Sequence, residues 1–241
     1  RYSVAITHRR FGKTVSVINH LIRDALKTQK DNARFHLLSP TFRQAKSVSW
    51  DYLKNFSAGI PGVRFNESEL RADYPNGSRI ALLSAENGGQ GIRGIYSDGF
   101  FVDEAGMISE TIFPEIIRPA LADRNGLKDE QTYCHFVGTP MGHNALFNYY
   151  TTAKETEGWH CAVYKASETG ILPEEELRAS RETMPEGIYE AEFECSFEAN
   201  VQGAVYAREL SKMEENGQIG RVPFDPAFKV QTFWDLGIND S

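Results

Sequence analysis

Three cysteines in 241 residues are too few, too scattered and odd in number for a disulfide scaffold. Cys134, Cys161 and Cys195 also sit far outside any zinc-binding or redox spacing. No apolar stretch approaches the roughly 20 residues that a membrane span needs, and no repeat or low-complexity tract interrupts the chain. No charged-then-apolar leader precedes the first strand-like segment, and position 1 is Arg rather than Met. These features predict a chain trimmed at its front, without a secretory signal in view, working in the cytosol. An excess of positive charge is missing too: the formal net charge is -7. What remains, 41% hydrophobic and 24% charged residues with ordinary Gly and Pro usage, is the composition of a soluble globular protein. The length fits one large domain, or a domain plus part of another.

The net charge hides an asymmetry. Residues 1–60 hold 11 Lys/Arg against 3 Asp/Glu, a balance of +8, whereas residues 61–241 hold 15 against 30, a balance of -15. Such a split suits a basic part that faces polyanions and an acidic part that stays solvated, although solvated surfaces alone produce it as well.

Hydrophobic periodicity orders the chain. Ser3 to Thr7 is a β-branched run ending in the basic turn His8-Arg9-Arg10-Phe11-Gly12, a strand and then a loop. From Lys13 to about Lys27, Val15, Ile18, Leu21, Ile22, Ala25 and Leu26 recur at three- and four-residue steps, which predicts an amphipathic helix. Phe35 to Leu38 reads as a second strand and Thr41 to Phe56 as a second helix. This β-α-β-α opening predicts an α/β protein with a mainly parallel sheet flanked by helices. Ser68–Tyr74 and Ser78–Ser84 flank Pro75-Asn76-Gly77, a strong hairpin signal, so an antiparallel edge or insertion is expected there. Gly88, Gly89, Gly91 and Gly94 predict a flexible loop. Phe100 to Val102, His135 to Val137 and His160 to Tyr164 read as further strands, and a Glu-rich helical stretch follows from about 173 to 199. Phe228 to Leu236 reads as a new strand, the first element of a truncated second domain or a docked tail.

Three strand ends carry residues with chemistry. Thr7-His8-Arg9-Arg10-Phe11-Gly12-Lys13-Thr14 matches the phosphate-loop pattern in its second Gly, its Lys and its Thr, with Thr7 where the first Gly stands. In such a loop, backbone N–H groups at a helix start face phosphates. Lys13 reaches the β and γ oxygens of ATP, and Thr14 offers a hydroxyl to Mg²⁺. Phe100-Phe101-Val102-Asp103-Glu104 ends a buried strand in two adjacent carboxylates, an expensive pairing unless a cation offsets it. Asp103 is expected at the metal and Glu104 as the general base toward water. Val137-Gly138-Thr139-Pro140 ends another strand, and Thr139 suits a γ-phosphate sensor. Parallel sheets gather such groups at the carboxyl edge of their strands. Arg9, Arg10 and, in the glycine-rich loop, Arg93 are further candidates for neutralising transferred phosphate.

Together these residues resemble the large subunit of tailed-bacteriophage terminases, the motor that packages viral DNA and cuts it. Arg9-Arg10-Phe11-Gly12-Lys13-Thr14 matches the family's Arg-rich phosphate loop, Ile92-Arg93-Gly94 precedes the hydrophobic-Asp-Glu strand, and Gly138-Thr139-Pro140 matches its coupling motif. The resemblance implies a P-loop NTPase fold of the additional-strand (ASCE) type with a small helical lid, a homo-oligomeric ring around double-stranded DNA with the isolated chain possible as a monomer, and a place in the cytoplasm of the infected bacterial host. It implies partnership with a portal protein and the terminase small subunit, and no membrane. Arg9 would act in cis and Arg93 in trans. Phe233 to Asp240 looks like the opening strand of the family's RNase H-like nuclease, with Asp235 as its first carboxylate and Asp240 a neighbour, using Mg²⁺ or Mn²⁺. The family's adenine-recognition segment and its remaining nuclease acids have no counterpart here, so cleavage is expected only of a longer protein.

On this reading residues 1–200 form the ATPase with its lid, 201–227 a linker and 228–241 the first nuclease strand. Two alternatives stay open. Asp103-Glu104-Ala105 also suggests a helicase-like ATPase, against which Gly106 ends the run, and an ATP-regulated switch or scaffold would use the same loop without turnover.

Overall fold

The computed structural model describes residues 1–122, 124–125, 131–198, 213 and 216–219. The chain divides into two compact units, Arg1–Val201 and Gln202–Ser241, and among the described residues the strands and labelled helices belong to the first. The expected strand 228–241, with Asp235 and Asp240, and nearly all of the expected linker lie outside the described residues.

Eight strands form one sheet: β1 (Tyr2–Thr7), β2 (Arg34–Ser39), β3 (Arg64–Asn66), β4 (Arg71–Asp73), β5 (Arg79–Ser84), β6 (Gly99–Val102), β7 (Tyr133–Gly138) and β8 (Trp159–Tyr164). Their spatial order is β3-β4-β5-β2-β6-β7-β1-β8. The six strands from β5 to β8 in that order run parallel, while β4 pairs antiparallel with both β5 and β3. The Asn-Gly hairpin between β4 and β5 is therefore where the sequence placed it, closed by Tyr74 N–H to Ser78 O and Gly77 N–H to Tyr74 O. Strand β3, too short and polar to show in the pattern, extends that edge.

Helix α1 (Lys13–Lys27) forms where the apolar repeat predicts it, burying Val17, Ile18, Leu21, Ile22 and Ala25. With Trp50 and Leu53 of α3 (Trp50–Ser57) they cover one face of the sheet against Phe35, Leu37, Ile80 and Phe101. The opposite face packs Val4, Ile6, Phe100, Val102 and Phe136 under Ile112, Ile116 and Leu121 and under Leu146 of α5 (Ala145–Glu155). Ile116 belongs to a π-helical turn, Phe113–Ile117, and Leu121 to α4 (Arg118–Ala122), which continues from it. A core buried on both faces explains why the central strands read as apolar runs rather than alternating ones.

Two helical expectations need correction. The stretch expected as one helix from Thr41 is α2 (Phe42–Gln44), a π turn at Ala45–Ser49 and then α3, because the extra residue in the wide turn rotates Trp50 onto the core. The stretch expected as one helix over 173–199 is α7 (Glu174–Thr183) and α8 (Glu186–Glu192), preceded by the short α6 (Ala166–Thr169). Pro185 forces extended backbone at Met184 and starts the second helix afresh. Part of the expected glycine-rich loop is a 3₁₀ stretch, Glu86–Ile92, broken by left-handed Asn87, Gly88 and Gly89.

Candidate active site

Strand β7 lies between β1 and β6, so three strand ends carrying chemistry stand side by side at one sheet edge. Past β1, the chain turns through His8 to Gly12, whose φ of +92° lets α1 begin directly at Lys13. Gly12 caps α1 without a side-chain hydrogen bond, and the first turn holds no acidic residue. The helix start is thus left with backbone N–H groups and a cation, the condition for receiving an anion.

Lys13 gathers the other two strand ends. Its Nζ donates to Thr139 Oγ1 at 2.9 Å, just past β7, and stands 3.3 Å from Glu104 Oε1, just past β6. Asp103 is 8% exposed and accepts Glu104 N–H at Oδ1, 3.1 Å away. Burial first, and then the Glu104 carboxylate, pushes Asp103 up to about 6 against the pull of Lys13. Glu104 itself has a φ of +47°, a left-handed kink that turns it off the strand line. Gly138 permits the close approach of α5, since a Cβ there would stand 2.8 Å from Leu146 Cδ2. Gly106, the residue that ends the helicase-like run, faces Asn144, the N-cap of α5, and a Cβ would lie 2.5 Å from its Nδ2.

Strand β8 and the helices after it hold the loop from the other side. His8 is buried, its Nδ1 on Arg9 O at 2.7 Å and its Nε2 on Thr169 Oγ1 of α6 at 2.9 Å. His8 N–H donates to Tyr164 O and Arg9 N–H to Glu192 O of α8. Phe11 stacks on Tyr164. Thr7 Oγ1 is the buried side-chain oxygen left without a partner among the described residues.

The structure therefore brings together Lys13, Asp103, Glu104 and Thr139, with Thr14 one residue into α1. The arginines stand apart. Arg9 pairs loosely with Glu192, 3.5 Å away. Arg10 is exposed with a φ of +62°. Arg93 pairs with Glu115 at 2.8 Å on the surface. His143 stacks on Phe147 and meets Glu198. Thr169, Glu192 and Tyr164 support the loop without any local sequence signal, because each reaches it from more than 150 residues downstream.

The model of the T4-type terminase large subunit, N-terminal part, matches residues 7–213. The chain belongs to that terminase family. The match is to the N-terminal part of the large subunit. No individually curated protein matches by sequence. Solved terminases share the fold. The large-terminase ATPase domain of Thermus phage P74-26 matches with a TM-score of 0.65 at 17% identity, over 81% of this chain and 88% of that one. The large terminase of a thermophilic bacteriophage, solved in complex with ADP, matches with a TM-score of 0.63 at 15% identity, over 81% of this chain and 48% of that one. The large terminase of bacteriophage HK97 matches with a TM-score of 0.57 at 16% identity, over 90% of this chain and 44% of that one. This terminase chain thus spans about half the length of the two longer proteins. Among the described residues no helix is long and apolar enough to cross a membrane.

Proposed function

We propose that ATP with Mg²⁺ binds at the carboxyl edge between β6 and β1, and that its hydrolysis drives movement of double-stranded DNA. One observation carries the reading: residues from three separate strand ends, Lys13, Thr139 and Glu104, converge within 3.3 Å at an uncapped helix start. The donor set fits a magnesium nucleotide. Two carboxylates beside one ammonium leave negative charge that a divalent cation offsets, and burial already makes the Asp103 charge costly. The loop N–H groups from Thr7 to Thr14 and the Lys13 ammonium hold the phosphates, while the Thr14 hydroxyl and, through water, Asp103 hold the cation. Mg²⁺, when bound, neutralises charge on the phosphate oxygens.

Lys13 Nζ is held by Thr139 and Glu104 in the structure. Turning toward phosphate, it frees the Glu104 carboxylate to orient water and accept its proton, and leaves Thr139 to report the state of the γ-phosphate. Arg9 in cis and Arg93 from a neighbouring subunit of a ring add positive charge. Portal protein and the small subunit complete the machine, in the cytoplasm of the infected host. Cutting of DNA belongs to a longer chain, with Asp235 as its first acid and Mg²⁺ or Mn²⁺ as its metal.

The test is Glu104→Gln. Steady-state hydrolysis is expected to fall about 10²- to 10⁴-fold, with ADP affinity within twofold of the unaltered chain. Unchanged turnover removes Glu104 as the base, and an unaltered chain that binds nucleotide but never turns over supports the switch reading instead.

A further inference from the structure

The direction of the site leaves one end of the nucleotide without an assigned partner. In sheet order the strand ends run β6 with Glu104, β7 with Thr139, β1 with the phosphate loop, and β8 with Tyr164. If the γ-phosphate lies toward Glu104 and Thr139, the nucleoside must extend the opposite way, across the single strand spacing of roughly 5 Å that separates β1 from β8. Two aromatic rings stand there. Tyr164, the last residue of β8, is 41% exposed, and its ring stacks on Phe11 of the phosphate loop with centroids 4.9 Å apart and planes 26° apart. The buried ring of His8 backs Phe11 edge-on at 5.4 Å. The backbone beneath is fixed by His8 N–H to Tyr164 O at 3.0 Å and by the grip of His8 on Thr169. An exposed aromatic on a rigid strand end, beside a phosphate cradle and on the side away from the carboxylates, is placed to meet a base. Nothing else on the described outer side of β8 pairs with that strand.

We infer that Tyr164, backed by Phe11, is the stacking platform for the base of the bound nucleotide. The inference rests on the proposed ATP site and adds its nucleoside end. Stacking reads the face of a base and is independent of hydrogen-bond edges, so this contact supplies affinity to the base and none to the phosphates.

Titration of the 241-residue chain with ADP and with inorganic tripolyphosphate, in the presence of Mg²⁺, separates the two ends of the site. For Tyr164→Ala, ADP is expected to bind roughly tenfold more weakly, tripolyphosphate within twofold of the unaltered chain, and Tyr164→Phe is expected to restore ADP affinity. An equal loss of both ligands in Tyr164→Ala would mean that the ring only positions the loop, and overturns the inference. No loss of ADP affinity overturns it as well. Failure of the unaltered chain to bind either ligand overturns the ATP site itself, an outcome distinct from the other two because it does not involve the variant.

Discussion

Asp103 shows how a site residue weighs on its own fold. Its carboxyl is pushed up to about 6 by burial and by Glu104, so the native chain binds its proton more tightly than the unfolded chain does. For an acid raised in this way, stability is highest below the unfolded value near 4 and declines as pH rises to about 6, where the ionised form must be carried in the native state. Asp103→Asn keeps an oxygen to accept Glu104 N–H and removes the charge. With a chelator present, the variant is expected to be about 1 to 3 kcal/mol more stable than the parent at pH 8 and no more stable at pH 4. Denaturant unfolding at the two pH values checks the sign. Equal stability at pH 8 would mean that Lys13 already offsets the buried charge. Asp98, just before β6, is a buried carboxylate held by cations. Fully enclosed, it accepts Arg34 N–H at 2.8 Å and pairs with Arg124 at 3.2 Å and with buried Lys30 at 3.3 Å. Asp98→Ala strands the Lys30 charge and is expected to cost about 3 to 5 kcal/mol, seen as a lower urea midpoint.

At the scale of elements, β2 and β7 each thread a histidine through the core. His36 is lowered to about 3 by burial and by nearby Arg34, and His135 to about 4 by burial and by His20. Both are neutral in the native sheet and charged in the unfolded chain below the ordinary histidine value. Stability therefore falls as pH drops through 6.5. Between pH 7.5 and 5 the pair costs about 4 kcal/mol, and protonation of Asp103 returns about 1, leaving a net loss of roughly 2 to 3 kcal/mol. His135→Gln is expected to remove about half of the histidine contribution, measured as the slope of unfolding free energy against pH. The same strands show what is legible in the sequence. Runs such as Phe35 to Leu38 and Phe100 to Val102 are apolar because both faces are covered, and α1 shows its buried stripe at helical steps. The helix breaks at Ala45–Ser49 and Pro185, the short β3, and helices α4 and α5 escape such a reading, because wide turns, proline restarts and mixed-polarity faces leave weak periodic signals. Strand order is hidden altogether, since the insertion of β7 between β1 and β6 depends on packing between segments far apart in the chain. At the site, Lys13 is legible through the Gly12-Lys13-Thr14 pattern after the first strand, and Asp103, Glu104 and Thr139 because each closely follows an apolar run. Tyr164 is visible only as the end of a strand, because its partner Phe11 lies 153 residues away.

For the whole molecule, the exposed pairing of Arg93 with Glu115 at 2.8 Å is the feature that bears on assembly. Both side chains are about half exposed, and a pair so open to water contributes at most about 1 kcal/mol, so an incoming phosphate or carboxylate from a neighbour can displace Glu115 at little cost. If Arg93 acts in trans, as proposed, a head-to-tail ring is the arrangement that would deliver it to the Lys13–Glu104 site of a neighbour. Rings built only from Arg93→Ala or only from Glu104→Gln subunits are then each expected to be inactive. In an equal mixture, about one interface in four joins an intact Glu104 to an intact Arg93, so hydrolysis is expected to recover to roughly a quarter of the parent rate under conditions where the chain assembles. Raising the total concentration must raise the recovered rate, since the active site forms between subunits. An arginine acting within its own subunit predicts no recovery at any concentration, and that result, with both variants folded and binding ADP, would return Arg93 to the role of a surface ion pair.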